Sequence, residues 1–395
     1  MRKYELRSVR TGSLSGAVPV VGIVSAGQLA RMTVQAAISL DVPVRLLSQR
    51  PDDSAAMVTP GVEVAPVFTR EVLERFAAGC DVVTFDDELV PPQVLRALEA
   101  AGHVLRPPSG AKLYAQDKLH QRVGLAGLGL PVPAFRAVEG PGDIEAFGRE
   151  HGWPVVAKAV RGGYDGRGVW VLADAAAGER LRREAAGAGT QLLVEQHVAI
   201  VRELAALVAR RPSGESVTYA VVETVQRDGM CRELLVPAPV APGVAREAAA
   251  LAGRIAEAIG AVGILAVELF ETAEGLLVNE LALRPHNSGH WTIEGAATSQ
   301  FENHLRAVLD WPLGVPDLAA PAVATVNVVG AAHGGDPHAA LAAALAVPGA
   351  RVHLYGKSAR PGRKLGHVTV VGDRSDDARE RANRAVAILT AGKGG

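Results

Sequence analysis

The sequence predicts an α/β domain at the N-terminal end, α+β construction in the middle and a small β-rich part at the end. Three observations predict it. From Val18, short β-branched runs alternate with amphipathic stretches, the pattern of βαβ units on a parallel sheet. Over residues 111–312 strands and helices are mixed and tight-turn residues recur between apolar runs. The last segment holds three strand-like runs and one closing helix.

Taken in order, residues 1–17 are polar and Gly/Ser-bearing and read as a disordered tail. Residues 18–110 form the first domain, with VPVVGIV, VPVRLLS and DVVTF as strands and GQLARMTVQAAISL, REVLERFAAG and PQVLRALEAAG as helices. Ligands on such sheets sit beyond the carboxyl ends of the strands, here residues 24–28 and 84–88. The domain at 111–312 opens on AQDKLHQRVGLAGLG, one helix ended by a Gly/Pro break, and continues into a central lid at about 118–195. SVTYAVVETVQRDG with CRELLVPAPV, and GILAVELFET with GLLVNEL, pair as antiparallel hairpins because QRDGM and EGL supply the turns. REAAALAGRIAEAIG is an Ala-rich helix of high intrinsic propensity. WPLGVPDLAAP is a linker or crossover to 321–395, where AVATVNVVG, ARVHLYG and HVTVVG are strands and DARERANRAVAILTA the closing helix.

At 395 residues the chain is too long for one compact core, since cores stop growing beyond roughly 250–300 residues. With 41 Lys+Arg against 42 Asp+Glu, its net charge of -1 argues against nucleic acid as a partner and leaves room for a local phosphate pocket. The two cysteines, Cys80 and Cys231, have no disulfide or zinc spacing, which predicts a reducing compartment. No signal-peptide pattern and no apolar run long enough to span a bilayer is visible, so a cytoplasmic protein without membrane contact is expected.

Four clusters carry chemistry. In KAVRGGYDGRG, Lys158 ends an apolar strand and Gly162, Gly163, Gly166 and Gly168 follow. Glycines let backbone N–H groups approach phosphate oxygens while the ammonium neutralises charge. A plain hairpin tip is the alternative, but the interleaved Arg161, Tyr164, Asp165 and Arg167 exceed what a turn requires. The loop is neither a Walker A motif nor a dinucleotide fingerprint. Glu268 and Glu280 stand in apolar strands that a hairpin brings together, where carboxylates need cations; Mg²⁺ or pairing with an arginine such as Arg284 would serve. RPHNSGHW concentrates Arg284, His286, Asn287, Ser288 and His290 as donors suited to a small oxyanion. GKSARPGRKLGH sets Lys357, Arg360, Arg363 and Lys364 around a Pro-Gly turn, for a substrate phosphate or as a solvated surface.

GGYDGRG, NELALRPHNSGHWT with GAATSQFENHLRAVL, and RPGRKLGH resemble motifs of the ATP-grasp superfamily and, within it, the 5-(carboxyamino)imidazole ribonucleotide synthase family of purine biosynthesis. QDKL and VEQHV fit as well, and the resemblance covers nearly the whole chain. It implies a biotin-carboxylase-like βαβ domain, an ATP-grasp fold and a small C-terminal β-rich domain, working as a homodimer on small molecules. It further implies that ATP phosphorylates bicarbonate to carboxyphosphate and that the amine of aminoimidazole ribonucleotide is carboxylated.

On this resemblance Lys118 and Lys158 contact phosphates, with Gly163, Gly166, Gly168, Glu195, Gln196, Val198 and Glu203 completing the nucleotide site. Glu268 and Glu280 hold Mg²⁺, and Arg284, His286 and Asn287 hold bicarbonate. Tyr164, Asp165 and Arg167 meet the aminoimidazole, with Asp165 or His286 as the base. Lys357, Arg363 and Lys364 take the ribonucleotide phosphate with Gly27 and Gln28, and Glu88 reaches the ribose. Two positions depart from the family: Ser25 stands where the first loop has glycine, and Leu283 where proline is common. Ser25 motivates the alternative of a ligase acting on a different amine; a non-catalytic nucleotide-binding protein is the other alternative.

Overall fold

The computed structural model describes residues 18–163, 166–331 and 335–391; the expected tail at 1–17, and Tyr164 and Asp165, lie outside the described residues. Three sheets organise these residues. In the first, strand Val21–Val24 runs parallel between Val44–Ser48 and Val82–Phe85, with Val62–Val64 at one edge. All four residues of Val21–Val24 and of Val82–Phe85 are buried, as expected of parallel strands covered by helices on both faces.

Both strands end at the loops the sequence singled out. In the first loop Ser25 has φ 73°, the left-handed region where a Cβ costs about 1–2 kcal/mol. Its N–H still bonds Leu47 O at 2.9 Å, so serine takes a path that suits glycine. Ser25→Gly is expected to stabilise the fold by roughly 0.5–1 kcal/mol after the extra chain entropy of glycine is subtracted. A denaturation midpoint below that of the parent would contradict this. Helix Gln28–Ser39 then starts with no cap of its own. Asp86, from the neighbouring loop, supplies one, accepting from Gly27 N at 2.8 Å and Ala30 N at 2.5 Å.

The segment AQDKLHQRVGLAGLG is two helices and not one. Ser109–Gln116 ends at Asp117, whose extended backbone and side chain cap Lys118–Gly127 through His120 N at 2.8 Å. An Asp competes with helix continuation by offering its carboxylate to the N–H groups of the next turn. The second sheet, Phe135–Val138, Leu192–Gln196, Val155–Ala159 and Val169–Leu172 in that order, is antiparallel and carries the glycine-rich loop at one end.

The third sheet has nine strands. Gly275–Ala282, Gly263–Thr272 and Arg202–Arg210 lead into the hairpin Val222–Arg227 and Met230–Val236. Helix Pro242–Ala258 buries Ala248, Leu251, Ala252, Ile255 and Ala256, an i, i+3, i+4, i+7, i+8 stripe, in a core shared with Leu204, Val208 and Leu265. Each fully buried Leu or Ile there contributes about 1.5–3 kcal/mol. The three terminal strands do not close a sheet of their own. Ala322–Val329 pairs antiparallel with Met230–Val236, Leu234 facing Thr325, and Lys364–Gly372 and Arg351–Leu354 extend the same sheet. Helix Ser375–Thr390 closes it by burying Ala378, Ala382, Ala385 and Leu389.

Candidate active site

A cleft of about 1320 Å³ lies where the three sheets meet. It exceeds the roughly 300–1,000 Å³ that holds one drug-sized ligand, so it has room for a nucleotide and a second substrate. The side expected to take the nucleotide is lined by Lys118, Lys158, Gly163, Gly166, Gln196 and Val198, together with Glu195 and Glu203. Across from them stand Glu268, Glu280, Arg284, His286 and Asn287. Gln28, Glu88 and Lys364 close the remaining wall. The glycine loop is built as its composition requires. A Cβ on Gly163 would lie 2.8 Å from Arg167 O, and Gly166, at φ 76°, rests against Gly229 at the tip of the Val222–Val236 hairpin. Gly168 is not on the cleft wall; its carbonyl accepts from Ala159 N at 2.8 Å and holds the base of the loop.

Lys158 leaves a buried strand and is itself only 8% exposed. Its ammonium bonds Glu195 Oε2 at 2.7 Å and Asn279 Oδ1 at 3.1 Å. The other oxygen of Glu195 takes Arg122 Nε at 2.7 Å. Burial raises the Glu195 pKa, but Lys158 and Arg122 more than offset it and hold the carboxyl below its ordinary value. Both oxygens of Glu195, expected in the nucleotide site, are therefore engaged, and they fix the position of Lys158.

Glu268 and Glu280 face each other directly across the Gly263–Thr272 and Gly275–Ala282 pair, with a bulge immediately after Glu268. Arg284 does not pair with them. Burial, and then the carboxylates of Glu280 and Glu203, push Glu268 up to about 7, while Lys118 donates to Glu280 Oε1. A carboxylate pair this reluctant to carry two charges, opening on a cleft, fits a hard divalent cation. Among the described residues no third His, Cys, Asp or Glu completes an all-protein cage. Mg²⁺ requires none, because it keeps waters and phosphate oxygens as its remaining ligands.

The loop after the second carboxylate is set by Gln300, which is fully buried. Its Oε1 accepts from His286 N at 3.0 Å and its Nε2 donates to His286 O at 2.7 Å. The His286 ring accepts at Nδ1 from Ser288 N, 3.3 Å, which leaves the proton on Nε2, 3.8 Å from Glu268 Oε1. Burial, then Arg284 and Lys364, lower its pKa to about 3. His286 is a neutral imidazole with an N–H facing the carboxylate pair. His290, expected among the same donors, points elsewhere: it is buried and stacks on His367 at 4.8 Å, which in turn stacks on His353 at 4.5 Å. The tryptophan after it, Trp291, is fully buried too, so the chain at this point dives into the core.

Lys357 bonds Gln28 Oε1 at 2.5 Å, which joins the last strands to the first loop. Arg363 turns to Ser358, with Nη1 at 2.7 Å from Oγ, and neither it nor Lys357, Arg167 or Gly27 lies on the cleft wall. The Gly27 N–H is taken by Asp86, whose pKa burial and Asp87 raise to about 6. Arg122 lies in none of the quoted motifs, and Asn279 and Gln300, which lie within NELALRPHNSGHWT and GAATSQFENHLRAVL, are not singled out by them. Arg122 does carry a signal, since it stands three residues before Leu125 on the buried face of its helix.

The ATP-grasp domain family matches residues 124–301, the ribonucleotide synthetase preATP-grasp domain 18–116, and the phosphoribosylaminoimidazole carboxylase C-terminal domain 324–381. The chain is 48% identical to the N5-carboxyaminoimidazole ribonucleotide synthase of Mycobacterium tuberculosis over 98% of its own length and 91% of that protein. The corresponding Corynebacterium ammoniagenes protein is 43% identical over 94% of this chain and 92% of its own. Among solved structures, the Thermus thermophilus synthetase superposes with a TM-score of 0.83 at 38% identity, covering 95% of this chain and 99% of that one. The Aspergillus clavatus enzyme in complex with ADP and 5-aminoimidazole ribonucleotide superposes with a TM-score of 0.85 at 32% identity, covering 94% and 98%. By these likenesses, over three consecutive domains, the chain belongs to the N5-carboxyaminoimidazole ribonucleotide synthase family of ATP-grasp ligases.

Proposed function

We infer that this chain is a ligase that carboxylates 5-aminoimidazole ribonucleotide with bicarbonate and ATP, giving N5-carboxyaminoimidazole ribonucleotide, ADP and phosphate. The observation that carries the reading is one cleft holding the phosphate-side lysines, the carboxylate pair and the Arg284–His286–Asn287 loop of a family that performs this reaction. Lys118 and Lys158 would contact the polyphosphate. A bicarbonate oxygen, held by Arg284, the His286 Nε2–H and Asn287, attacks the γ-phosphorus; ADP leaves and carboxyphosphate remains. The substrate amine then attacks the carboxyl carbon, phosphate departs and the amine proton goes to a base. Glu268 and Glu280 would hold Mg²⁺, which supplies charge neutralisation at the transferring phosphoryl group. Because the His286 Nδ1 already accepts from Ser288, His286 acts in this scheme as a donor and the base lies elsewhere.

Carboxyphosphate is lost to water unless the site is covered, which gives the glycine loop its role as a lid. The Ser25 backbone keeps the left-handed turn that suits glycine, which supports the same ribonucleotide substrate over a different amine. Among the described residues no helix is long and apolar enough to cross a membrane. A cytoplasmic homodimer is our working assembly, to be checked by sedimentation. The test of function is phosphate release from ATP that requires bicarbonate and rises strongly with aminoimidazole ribonucleotide. Release indifferent to that ribonucleotide, or failure to complement a purine auxotroph lacking this step, would overturn the reading.

A further inference from the structure

The wall formed by residues 86–90 is gripped by helix Ser109–Gln116. Gln116 Nε2 donates to Glu88 O at 3.0 Å and Val90 O at 2.5 Å. Lys112, one helical turn earlier, is 0% exposed; its ammonium donates to Asp87 O at 2.7 Å and to Glu88 Oε2, and lies 4.5 Å from the Phe85 ring centroid. A lysine sealed from water is costly unless its charge is paired. Here the pairing is with one oxygen of one carboxylate.

The other oxygen, Glu88 Oε1, is 3.2 Å from Arg284 Nε. Both atoms are buried, and neither has a hydrogen-bond partner of acceptable geometry. Arginine and carboxylate left to themselves close into a two-pronged fork, the strongest arrangement open to them. Such a fork would neutralise the guanidinium at the oxyanion site. The Lys112 ammonium holds Oε2 and the carbonyl of Asp87, so that only Oε1 faces the guanidinium.

We propose that Lys112 is a positioning residue that keeps Glu88 from closing a second prong onto Arg284, leaving the rest of the guanidinium for the bicarbonate-derived oxyanion. The proposal rests on the reading of Arg284 as a bicarbonate ligand. Its measure is the bicarbonate KM at saturating ATP and aminoimidazole ribonucleotide. Lys112→Met is expected to raise that KM ~10-fold, the worth of one charge-assisted contact, with the ATP KM within about twofold of the parent. Glu88→Gln removes the competing charge, so the double variant Lys112→Met/Glu88→Gln should recover a bicarbonate KM close to that of Glu88→Gln alone.

A role that is merely structural predicts the opposite, with the defect persisting in the double variant and extending to the ATP KM. Either an unchanged bicarbonate KM in Lys112→Met or no recovery in the double variant overturns the proposal. Should Lys112→Met not fold, Lys112→Gln, which keeps a donor for Asp87 O, takes its place under the same expectations. Arg284→Met separates the two levels: an unaltered bicarbonate KM there sinks the site reading, whereas a raised one beside a normal Lys112→Met sinks only the role of Lys112.

Discussion

Glu280→Gln is expected to lower kcat by at least ~10³-fold under saturating Mg²⁺ while the protein stays folded, because an amide is a poor ligand for a hard cation and the transferring phosphoryl group then lacks its counter-charge. The structure makes the expectation sharper than a generic loss. Glu280 is the partner of Lys118 and one of the groups that push Glu268 up to about 7. Removing its charge relieves Glu268, so the metal-free variant should melt no lower than the parent. Turnover and melting together decide the matter. Parent-like turnover in Glu280→Gln would remove the metal assignment, and a large fall in melting temperature would mean that the pair serves the fold.

The second large effect is expected at His286. With Nδ1 engaged by Ser288 and a pKa lowered to about 3, the ring is a neutral donor at any working pH. His286→Ala therefore removes one hydrogen bond to developing negative charge, a loss that typically costs 10²–10³ in kcat, here taken as ~10². The ATP KM should stay within about twofold, since losing a transition-state contact does not weaken ground-state nucleotide binding. A defect confined to ATP affinity would contradict the role. The parent's pH profile is a further check: a kcat that falls on protonation of a group near pH 6.5 in the parent, and not in His286→Ala, would show the ring working as a base.

The sequence was informative where chemistry and local chain direction coincide. Alternating β-branched runs and tight turns gave the parallel sheet, both hairpins and the juxtaposition of Glu268 with Glu280, since a hairpin's register follows from its turn. The glycine loop was legible because close backbone approach needs glycine, as the Gly166–Gly229 contact shows. Contacts between distant segments were not legible. Asp86 capping the helix that starts at Gln28, Gln300 clamping the backbone of His286, and Arg122 with Glu195 fixing Lys158 all join residues more than a dozen positions apart. No local pattern shows which two of these residues will meet. His290 misled for the complementary reason: polar residues adjacent in sequence need not share a surface, and its turn sends one imidazole to the cleft and the other into the core.

The uninterrupted hydrogen bonding from Gly275–Ala282 to Arg351–Leu354 has a mechanical meaning. Glu268, Glu280 and Lys364 stand on strands of the same sheet, so the anchors proposed for metal and for ribonucleotide phosphate belong to one rigid platform. The smaller antiparallel sheet shares no strand pairing with that platform and carries Lys158 and the glycine loop. A movement of the smaller sheet would change the spacing between Lys158 and the three platform residues while leaving the spacing among Glu268, Glu280 and Lys364 as it is.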